Sequence, residues 1–255
     1  MKKILTTLAV GAMLASAASA DVARLEMGVG AWQQTASGDI TYVDSLATGS
    51  DDYAKSDEQT SGYAWMLIKH PIPILPNIRL EYASLEGNGE ANGTFDDFTV
   101  SAGATLFEMT QYDIIPYYNI LDNTGWVTLD LGLDLKVIDT TWTVNDVTGW
   151  TDSVYDDSET LVIPLIYVRT RVEIPGTNIG LEADGKYITY DDSTIYDIRA
   201  KVDYTLDFIP VIQPAIEVGY RIQKFDISDD GDTAGSTAAI DLEFSGVYAG
   251  MMLRF

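Results

Sequence analysis

The strongest constraint on this chain is an alternation of apolar and polar residues at every second position. It is clearest where Val127, Leu129, Leu131, Leu133, Leu135 and Val137 alternate with Thr128, Asp130, Gly132, Asp134 and Lys136. Successive side chains of a strand point to opposite faces, so this segment predicts a strand with one apolar and one charged face. An apolar outer face and a polar inner face are typical of strands in a transmembrane β-barrel.

The two ends of the chain predict where such a barrel would reside. Met1-Lys2-Lys3, an apolar stretch from Ile4 to Leu14 and Ala18-Ser19-Ala20 together predict a signal peptide over residues 1–20, cleaved near Ala20. The last residues alternate again, and the pattern resembles the C-terminal targeting strand of bacterial outer-membrane barrels, with targeting residues Tyr248, Met251, Leu253 and Phe255. We therefore expect residues 21–255 to form one barrel in the cell outer membrane of a Gram-negative bacterium.

Composition excludes several other classes. Beyond Ala20 the apolar runs, such as Leu161 to Val168, fall short of the roughly 18 to 20 residues that a spanning helix needs. Only a closed barrel then satisfies every backbone group in lipid. The formal net charge of −24 argues against nucleic acid as a partner, because binding it depends on a basic face. The chain has no Cys, which excludes disulfides, thiolate metal sites and a Cys nucleophile.

The alternating segments predict an all-β protein, a transmembrane antiparallel up-and-down β-barrel of ten strands, with eight or twelve as alternatives. An even number leaves both termini in the periplasm. Segments with clear alternation include residues 22–34, 61–69, 78–87, 178–190, 195–208 and 212–227. The alternation between Thr94 and Leu121 is longer than a bilayer requires, so this strand either projects above the membrane or contains a bulge.

Acidic or Gly/Asn-rich segments predict the extracellular loops. These are Thr35–Thr60, the region of Gly87-Asn88-Gly89 and Asn92-Gly93, and about 146–158 and 228–239. Aromatic residues close to the turns predict interfacial girdles formed by Tyr117, Tyr118, Trp126, Tyr204 and Phe208.

The polar faces of the strands carry charged residues of both signs, which we expect to line the lumen. They are Arg79, Glu81, Asp130, Asp134, Lys136, Arg169, Arg171, Glu173, Glu182, Asp184, Lys186, Asp197, Arg199, Lys201, Asp203, Glu217 and Arg221. A barrel of about ten strands is close to the size that side chains can fill and well below the porins. A salt-bridged plug is the favoured interpretation, a narrow ion or solute path the alternative, and a wide pore is not expected.

His70 is the only histidine, and it lies in the Pro-rich segment His70-Pro71-Ile72-Pro73-Ile74-Leu75-Pro76-Asn77. Three prolines there predict a rigid turn at the periplasmic end. Outer-membrane enzymes resemble one another in using a His near the outer rim, so this placement predicts that the chain is not an enzyme. A single His without His-rich neighbours also predicts no zinc site, and we expect no cofactor.

The acidic loops raise the question of divalent cations. Asp226-Ile227-Ser228-Asp229-Asp230-Gly231-Asp232 is similar to the start of a calcium loop, but Thr237 stands where the expected Glu would be. We interpret it as a solvated loop, with weak divalent-cation binding as the alternative, and we treat Asp51-Asp52 and Asp156-Asp157 in the same way.

Two segments carry a family resemblance. His70-Pro71-Ile72-Pro73-Ile74-Leu75-Pro76-Asn77-Ile78-Arg79-Leu80-Glu81-Tyr82 and Leu121-Asp122-Asn123-Thr124-Gly125-Trp126-Val127-Thr128-Leu129-Asp130-Leu131-Gly132-Leu133 resemble hallmarks of a family of uncharacterised proteobacterial outer-membrane β-barrel proteins. The likeness extends through Tyr187 to Tyr190, Gly219-Tyr220-Arg221 and Gly246 to Gly250. It implies an outer-membrane barrel and supplies no activity and no site.

The sequence therefore predicts an outer-membrane barrel with a charge-filled lumen and a structural, surface-interaction or narrow-transport role. A small-solute or cation channel and an adhesin that uses the acidic loops are the alternatives. The expected partners are outer-membrane lipid and lipopolysaccharide, the barrel-assembly machinery and periplasmic chaperones, with divalent cations at the acidic loops as a further alternative.

Overall fold

The computed structural model describes residues 23–43, 47–54, 56–72, 74–95, 98–124, 126–145, 154–206, 212–229 and 237–255. The predicted signal peptide and its cleavage site at Ala20 lie outside these residues. The described residues form eleven strands: β1 (Arg24–Val43), β2 (Ala47–Asp52), β3 (Gln59–Lys69), β4 (Asn77–Phe95), β5 (Phe98–Thr124), β6 (Val127–Asn145), β7 (Val154–Glu173), β8 (Ile179–Tyr190), β9 (Ser193–Thr205), β10 (Gln213–Asp229) and β11 (Thr237–Arg254).

The strands close into one antiparallel up-and-down ring. β11 pairs with β1, so the sheet has no open side at this seam. β2 and β3 share one place between β1 and β4, with β2 pairing at one end of these neighbours and β3 at the other. The ring therefore has ten strand places, which confirms the predicted fold class and strand number.

The outer face carries an apolar belt around the end of the barrel where β1 begins and β11 ends, here called the terminal end. Its members, which include Val29, Leu80, Leu133, Ile166, Val168, Ile198, Val218, Val247 and Met251, are exposed, with 62 % of Val29 and 63 % of Met251 accessible. Water would not favour so much exposed apolar surface, whereas lipid would. No helix among the described residues is long and apolar enough to cross a membrane.

Beyond the belt the polarity of the two faces is reversed. The outer face there carries Asp39, Glu90, Glu108, Asp139 and Asp241, all of them exposed. The inner face is an apolar core that includes Ile40, Tyr42, Leu85, Val100, Phe107, Ile138, Val144, Phe225, Leu242 and Phe244. We call this part of the barrel the extension. It has the pattern of a barrel in water, with polar residues outside and apolar residues packed inside.

Most of the segments that were predicted as loops are strands of the extension. Thr35–Thr60 is not one long loop, because β1 continues to Val43 and β2 and the start of β3 lie within the segment. Gly87 to Gly93 likewise belongs to β4, which continues to Phe95. β6 continues to Asn145 and β7 begins at Val154, so only residues 146–153 can connect them, and they lie outside the described residues.

The long predicted strand between Thr94 and Leu121 is one strand, β5, and both explanations for its length apply. It extends beyond the belt, and its register with β4 shifts between Ala91 and Asn92, opposite Ala102, which has a φ of 59°. A bulge of this kind adds a residue to one strand without breaking the ladder on either side.

One predicted girdle residue is placed differently. Tyr118, Trp126 and Tyr204 are exposed on the outer face as expected, but Tyr117 is buried inside the barrel at 1 % exposure. Tyr117 and Tyr118 are neighbours in one strand, so only one of them can face lipid. The side chain of Phe208 lies outside the described residues.

Candidate functional site

The charged interior of the belt section, here called the lumen network, is the candidate site. The structure buries all seventeen predicted lumen residues except Glu173, and most are at most 7 % exposed. Glu173 lies at the rim of the terminal end with 47 % of its side chain exposed, and its Oε1 is 3.4 Å from Nε of Arg171. The structure thus brings together predicted side chains from β4 and from each of β6 to β10.

Arginines organise the part of the network closest to the terminal end. Arg169 places Nη1 at 2.7 Å from Oδ2 of Asp130 and Nη2 at 2.6 Å from Oε2 of Glu182. Arg171 donates twice to Asp203, at 2.6 and 3.1 Å. Two parallel N–H···O bonds fix the planar guanidinium in orientation as well as in position. These arginines therefore connect β6, β7, β8 and β9 across the interior.

Lysines lie deeper in the same network. Nζ of Lys186 donates to Glu81 at 2.7 Å and also to Asp113. Lys136 contacts Asp113 at 2.7 Å, and Asp197 is 3.6 Å from the same ammonium. A further arginine, Arg221, donates to both oxygens of Asp197, at 2.8 and 2.7 Å. The two lysines thus meet carboxylates from several strands, whereas Arg221 meets both oxygens of one, and buried charges persist only with such compensation.

Arg199 links this layer to the opposite wall of the barrel. Its Nη2 lies 2.5 Å from Glu81 on β4 and 2.7 Å from Asp184 on β8. β4 and β8 are not neighbours in the ring. The ion pairs therefore cross the lumen rather than follow the wall, and they fill its cross-section.

The structure adds charged members that were not among the predicted lumen residues. Glu26 and Arg254 are buried at the seam between β1 and β11, and Asp113 is buried on β5. Arg254 reaches Asp203 at 2.8 Å. Asp113 could have been found from the alternation of Gln111, Asp113 and Ile115 with Tyr112 and Ile114, once the boundaries of the long strand β5 were known.

Aromatic rings complete the packing, and no pattern in the sequence pointed directly to them. Trp65 lies between two cations, with Cζ of Arg79 at 4.9 Å and Nζ of Lys201 at 4.4 Å from its ring centroid. Its Nε1 donates to Glu217 at 3.1 Å, and the hydroxyl of Tyr63 donates to the same oxygen at 2.8 Å. A Cβ at Gly28 would lie 2.5 Å from Trp65 Nε1, so this glycine makes room for the indole ring.

One cavity inside the network is small. A cavity of about 10 Å³ is lined by Trp32, Trp65, Arg221 and Tyr248, among other residues. That is room for about one water molecule.

Met251 and Leu253, two of the predicted targeting residues, face outward, whereas Tyr248 faces this cavity at 7 % exposure. Phe255 follows the last residue of β11, and its backbone N–H and carbonyl both form hydrogen bonds with the backbone of Leu25.

Asp134 is a buried carboxylate without a hydrogen-bond donor in the described part of the chain and with only a distant cation. Neither oxygen of Asp134 has a partner among the described residues, and the closest cation, Nζ of Lys186, is 3.9 Å away. Its partner in register on β7 is the apolar Leu165. Desolvation without compensation is costly, so Asp134 is a weak point of the network.

A second polar cluster lies in the apolar core of the extension. Asp51 of β2 is fully buried and accepts hydrogen bonds from Tyr42 at 3.2 Å, Thr105 at 2.9 Å and Trp142 Nε1 at 2.5 Å. These donors belong to β1, β5 and β6, so Asp51 attaches β2 to three other strands. Burial raises the pKa of the Asp51 carboxyl, against the opposing effect of these hydrogen bonds.

His70 lies in a hydrogen-bonded turn at the terminal end, as the turn assignment expects. Its Nδ1 accepts from the backbone N–H of Ile72 at 3.2 Å, so Nε2 is the nitrogen that donates to the carbonyl of Pro76, at 3.0 Å. Its backbone N–H donates to Asn77 Oδ1 at 3.1 Å. Both ring nitrogens are therefore used to hold the turn.

The calcium-like segment is only partly described. Asp226 to Ser228 belong to β10, whereas residues 230–236 lie outside the described residues. Within the part of the chain that the structure describes, no group of three or more carboxylate or His side chains is arranged to hold a metal ion. The cation alternative for the acidic segments stays a prediction.

Comparisons with known proteins identify the fold. No family model and no curated protein sequence matches this chain. Among solved structures, the outer-membrane protease OmpT from Escherichia coli is similar with a TM-score of 0.55 and 9 % identity, over 91 % of this chain and 97 % of that one. A FadL homologue from Pseudomonas aeruginosa is also 9 % identical, with a TM-score of 0.39, over 94 % of this chain and 92 % of that one. At such identity the likeness to OmpT shows the outer-membrane β-barrel fold and nothing about activity.

We predict that removing a cation from the lumen network costs far more than removing one from the surface. Arg169→Met leaves the buried Asp130 without its cation and removes the shortest ion pair of Glu182, which should lower the free energy of unfolding by about 3–5 kcal/mol. The control is Lys224→Met on the extension, whose ion pair with Asp241 has the same 2.7 Å distance but is partly exposed. It should cost less than about 1 kcal/mol. Urea unfolding in lipid vesicles measures both, and equal losses would contradict a network that holds the barrel together.

We also predict a pH effect from Asp51. Because burial raises its folded-state pKa above the unfolded value, the stability that it contributes is present below the unfolded pKa and lost as pH rises through the folded pKa. Wild type should therefore lose stability relative to Asp51→Asn as pH increases from about 4 towards neutrality. Unfolding midpoints over this range test this, with Asp39→Asn as the control for removing one surface carboxylate. A constant difference between wild type and Asp51→Asn would refute the effect.

Proposed function

We propose that this chain is an outer-membrane barrel with a sealed lumen, whose role is to present the acidic extension at the cell surface. It acts as a surface-interaction protein and not as a channel. One observation carries the proposal: the interior is filled in both sections of the barrel, by ion pairs in the belt section and by apolar side chains in the extension. A solute would meet two barriers in series.

The location rests on the two faces of the belt section. Exposed apolar residues outside and buried charges inside are the arrangement that a lipid-embedded barrel requires. The predicted signal peptide and C-terminal targeting strand agree with export and assembly, and with the barrel-assembly machinery and periplasmic chaperones as partners. Both described termini lie at the terminal end, which we place in the periplasm. The extension then projects outside the cell.

The outer surface of the extension suggests what kind of partner it meets. Its exposed charges are mostly acidic and include Asp39, Asp52, Asp57, Glu58, Glu90, Glu108, Asp139, Glu159, Asp191, Asp192 and Asp241. Such a surface repels nucleic acid and free phosphate and attracts cationic groups. Close to the lipopolysaccharide it would also attract the divalent cations that neutralise phosphate groups.

We infer that the protein is not an enzyme and needs no cofactor. The only histidine is at the opposite end from the extension, and both of its ring nitrogens hold a turn. General-base catalysis needs a group within hydrogen-bond reach of a substrate, and His70 is already engaged. The buried carboxylates of the lumen network have cations as partners and are shielded from substrates.

Planar-bilayer recordings test the two barriers. We expect no channel steps from the refolded wild-type chain. Arg169→Ala/Arg171→Ala should also be silent, because the apolar core of the extension stays packed above the opened network. Phe107→Ala/Phe244→Ala, which removes two rings whose centroids are 6.3 Å apart, should be silent because the network remains. Only the combination of all four substitutions should conduct.

Other results would overturn the proposal. Reproducible steps from wild type would favour the small-solute or cation channel. Steps from the arginine variant alone would mean that the extension is not a barrier. Heat-dependent migration on gels, which reports a folded barrel, should accompany each recording, so that silence is not mistaken for misfolding.

A further inference from the structure

The wall of the extension has a gap above the hairpin of β8 and β9. β8 has 12 residues and β9 has 13, whereas the flanking strands β7 and β10 have 20 and 17. β7 pairs with β8 only from Ile166 to Glu173. From Glu159 to Leu165, β7 pairs with β6 on one side, and no strand among the described residues pairs with it on the other. We call this gap the notch.

The two strands that flank the notch, β7 and β10, differ in whether their backbone groups are available for pairing. On the β10 side, the side chain of Ser193 occupies the edge, since its hydroxyl contacts both the carbonyl of Ser228 at 3.4 Å and the N–H of Ser228 at 3.1 Å. On the β7 side, the edge from Glu159 to Val162 faces the notch, because the β7–β8 register carries the end of β8, Ile188 to Tyr190, alongside residues 163–165. Pro164 lies next to this edge and has no backbone N–H to donate. The β7 edge is therefore the one that offers backbone groups to another strand.

The notch also exposes part of the apolar core. Its borders carry apolar residues that are only partly buried although they pack against the core, namely Leu161, Ile163, Ile188 and Ile227. A strand placed against the β7 edge would cover this row with every second side chain.

The charges around the notch are acidic. Asp191 and Asp192 lie exposed in the turn between β8 and β9, at its floor, and Glu159 is exposed on the β7 wall. Of the two described cations on β10, Arg221 is buried in the lumen network, and the ammonium of Lys224 is held by Asp241 at 2.7 Å. An occupant that brings positive charge would be attracted, and an acidic one repelled.

We propose that the notch binds an extended polypeptide segment that adds to β7 as a further strand, with apolar side chains facing the core and basic side chains reaching Asp191 and Asp192. This deepens the proposed surface-interaction role, on which it rests, by naming the partner as a peptide of alternating apolar and basic residues. Backbone hydrogen bonds give such complexes their affinity, and the alternate side chains give specificity.

A second copy of this chain fits less well. Neighbouring barrels in one membrane have the same orientation, so their β7 strands run in the same direction and only a parallel ladder could form. Both copies would bring the same carboxylates to the interface, and like charges oppose association.

The direct test is binding of a defined probe to the refolded full-length mature chain in detergent micelles. The probe is a fluorescent octapeptide of alternating lysine and valine, followed by anisotropy. One control peptide carries N-methyl groups at alternate residues, which remove backbone donors and preserve charge and side chains. The second control replaces lysine with glutamate. We expect binding of the probe, about tenfold or greater weakening by N-methylation, and no binding of the glutamate peptide.

Two substitutions locate the site. Asp191→Asn/Asp192→Asn should weaken probe binding about threefold to tenfold, whereas Asp39→Asn on β1 should leave it unchanged. Because the chain has no Cys, Asp192→Cys and Asp39→Cys each accept a single fluorophore, and only the label at position 192 should respond to the probe.

Several outcomes would overturn the proposal. Equal binding of the N-methylated peptide would mean attraction to the acidic surface without strand addition. A response at position 39 equal to that at 192 would place the peptide elsewhere. Concentration-dependent dimers that the probe does not dissociate would make a second copy the occupant. None of these outcomes depends on conductance, so a sealed barrel with an empty notch and an open barrel with a peptide site are distinguishable.

Discussion

The ion-pair network inside the belt section is the interaction on which the rest of this structure depends. Lipid outside requires an apolar outer face, and the two-residue period then leaves the inner face free to carry charge. A ten-strand ring is too narrow to hydrate those charges, so they must compensate one another. Arg169, Lys186 and Arg199 do so by reaching carboxylates on strands other than their own. In the proposed sealed barrel, the charges that would make a wider barrel a polar channel close the lumen.

The reversal of polarity above the belt divides the same strands between two solvents. Along β1 the inner row changes from Glu26 to Ile40, while the outer row changes from Val29 to Asp39. The covalent geometry and the ladder are continuous, so only the side chains report where lipid ends and water begins. A barrel that continues into water needs an apolar core of its own, and Asp51 is the polar exception that attaches β2 to its neighbours.

The belt section could be predicted from sequence, and the extension could not. The alternation of Val127 to Val137 identifies a lipid-facing row directly, and the partners of that row are charged as expected. In Thr35–Thr60 and Gly87–Gly93 the alternation is inverted and weakened by Gly, Asn and Asp, which favour loops when taken alone. Asp113 and Tyr117 show the same difficulty for single residues. Which face of a strand a side chain occupies can be assigned only when the strand's boundaries are known, and those of β5 were not known from sequence. The notch depends on relative strand heights, which appear only when the strands are paired.

If water fills neither section of the interior, cysteines on the inner row of β1 should be protected from a water-soluble reagent, and cysteine scanning is practical because the chain has no Cys of its own. Single cysteines would replace inner residues Gln34, Ala36 and Ile40 and outer residues Val29, Ser37 and Asp39, in the barrel reconstituted in lipid. A small water-soluble thiol reagent should modify positions 37 and 39 rapidly and spare 29, 34, 36 and 40. Rapid modification of the inner row, above all of the conservative Ala36→Cys, would reveal a water-filled lumen and contradict a sealed barrel.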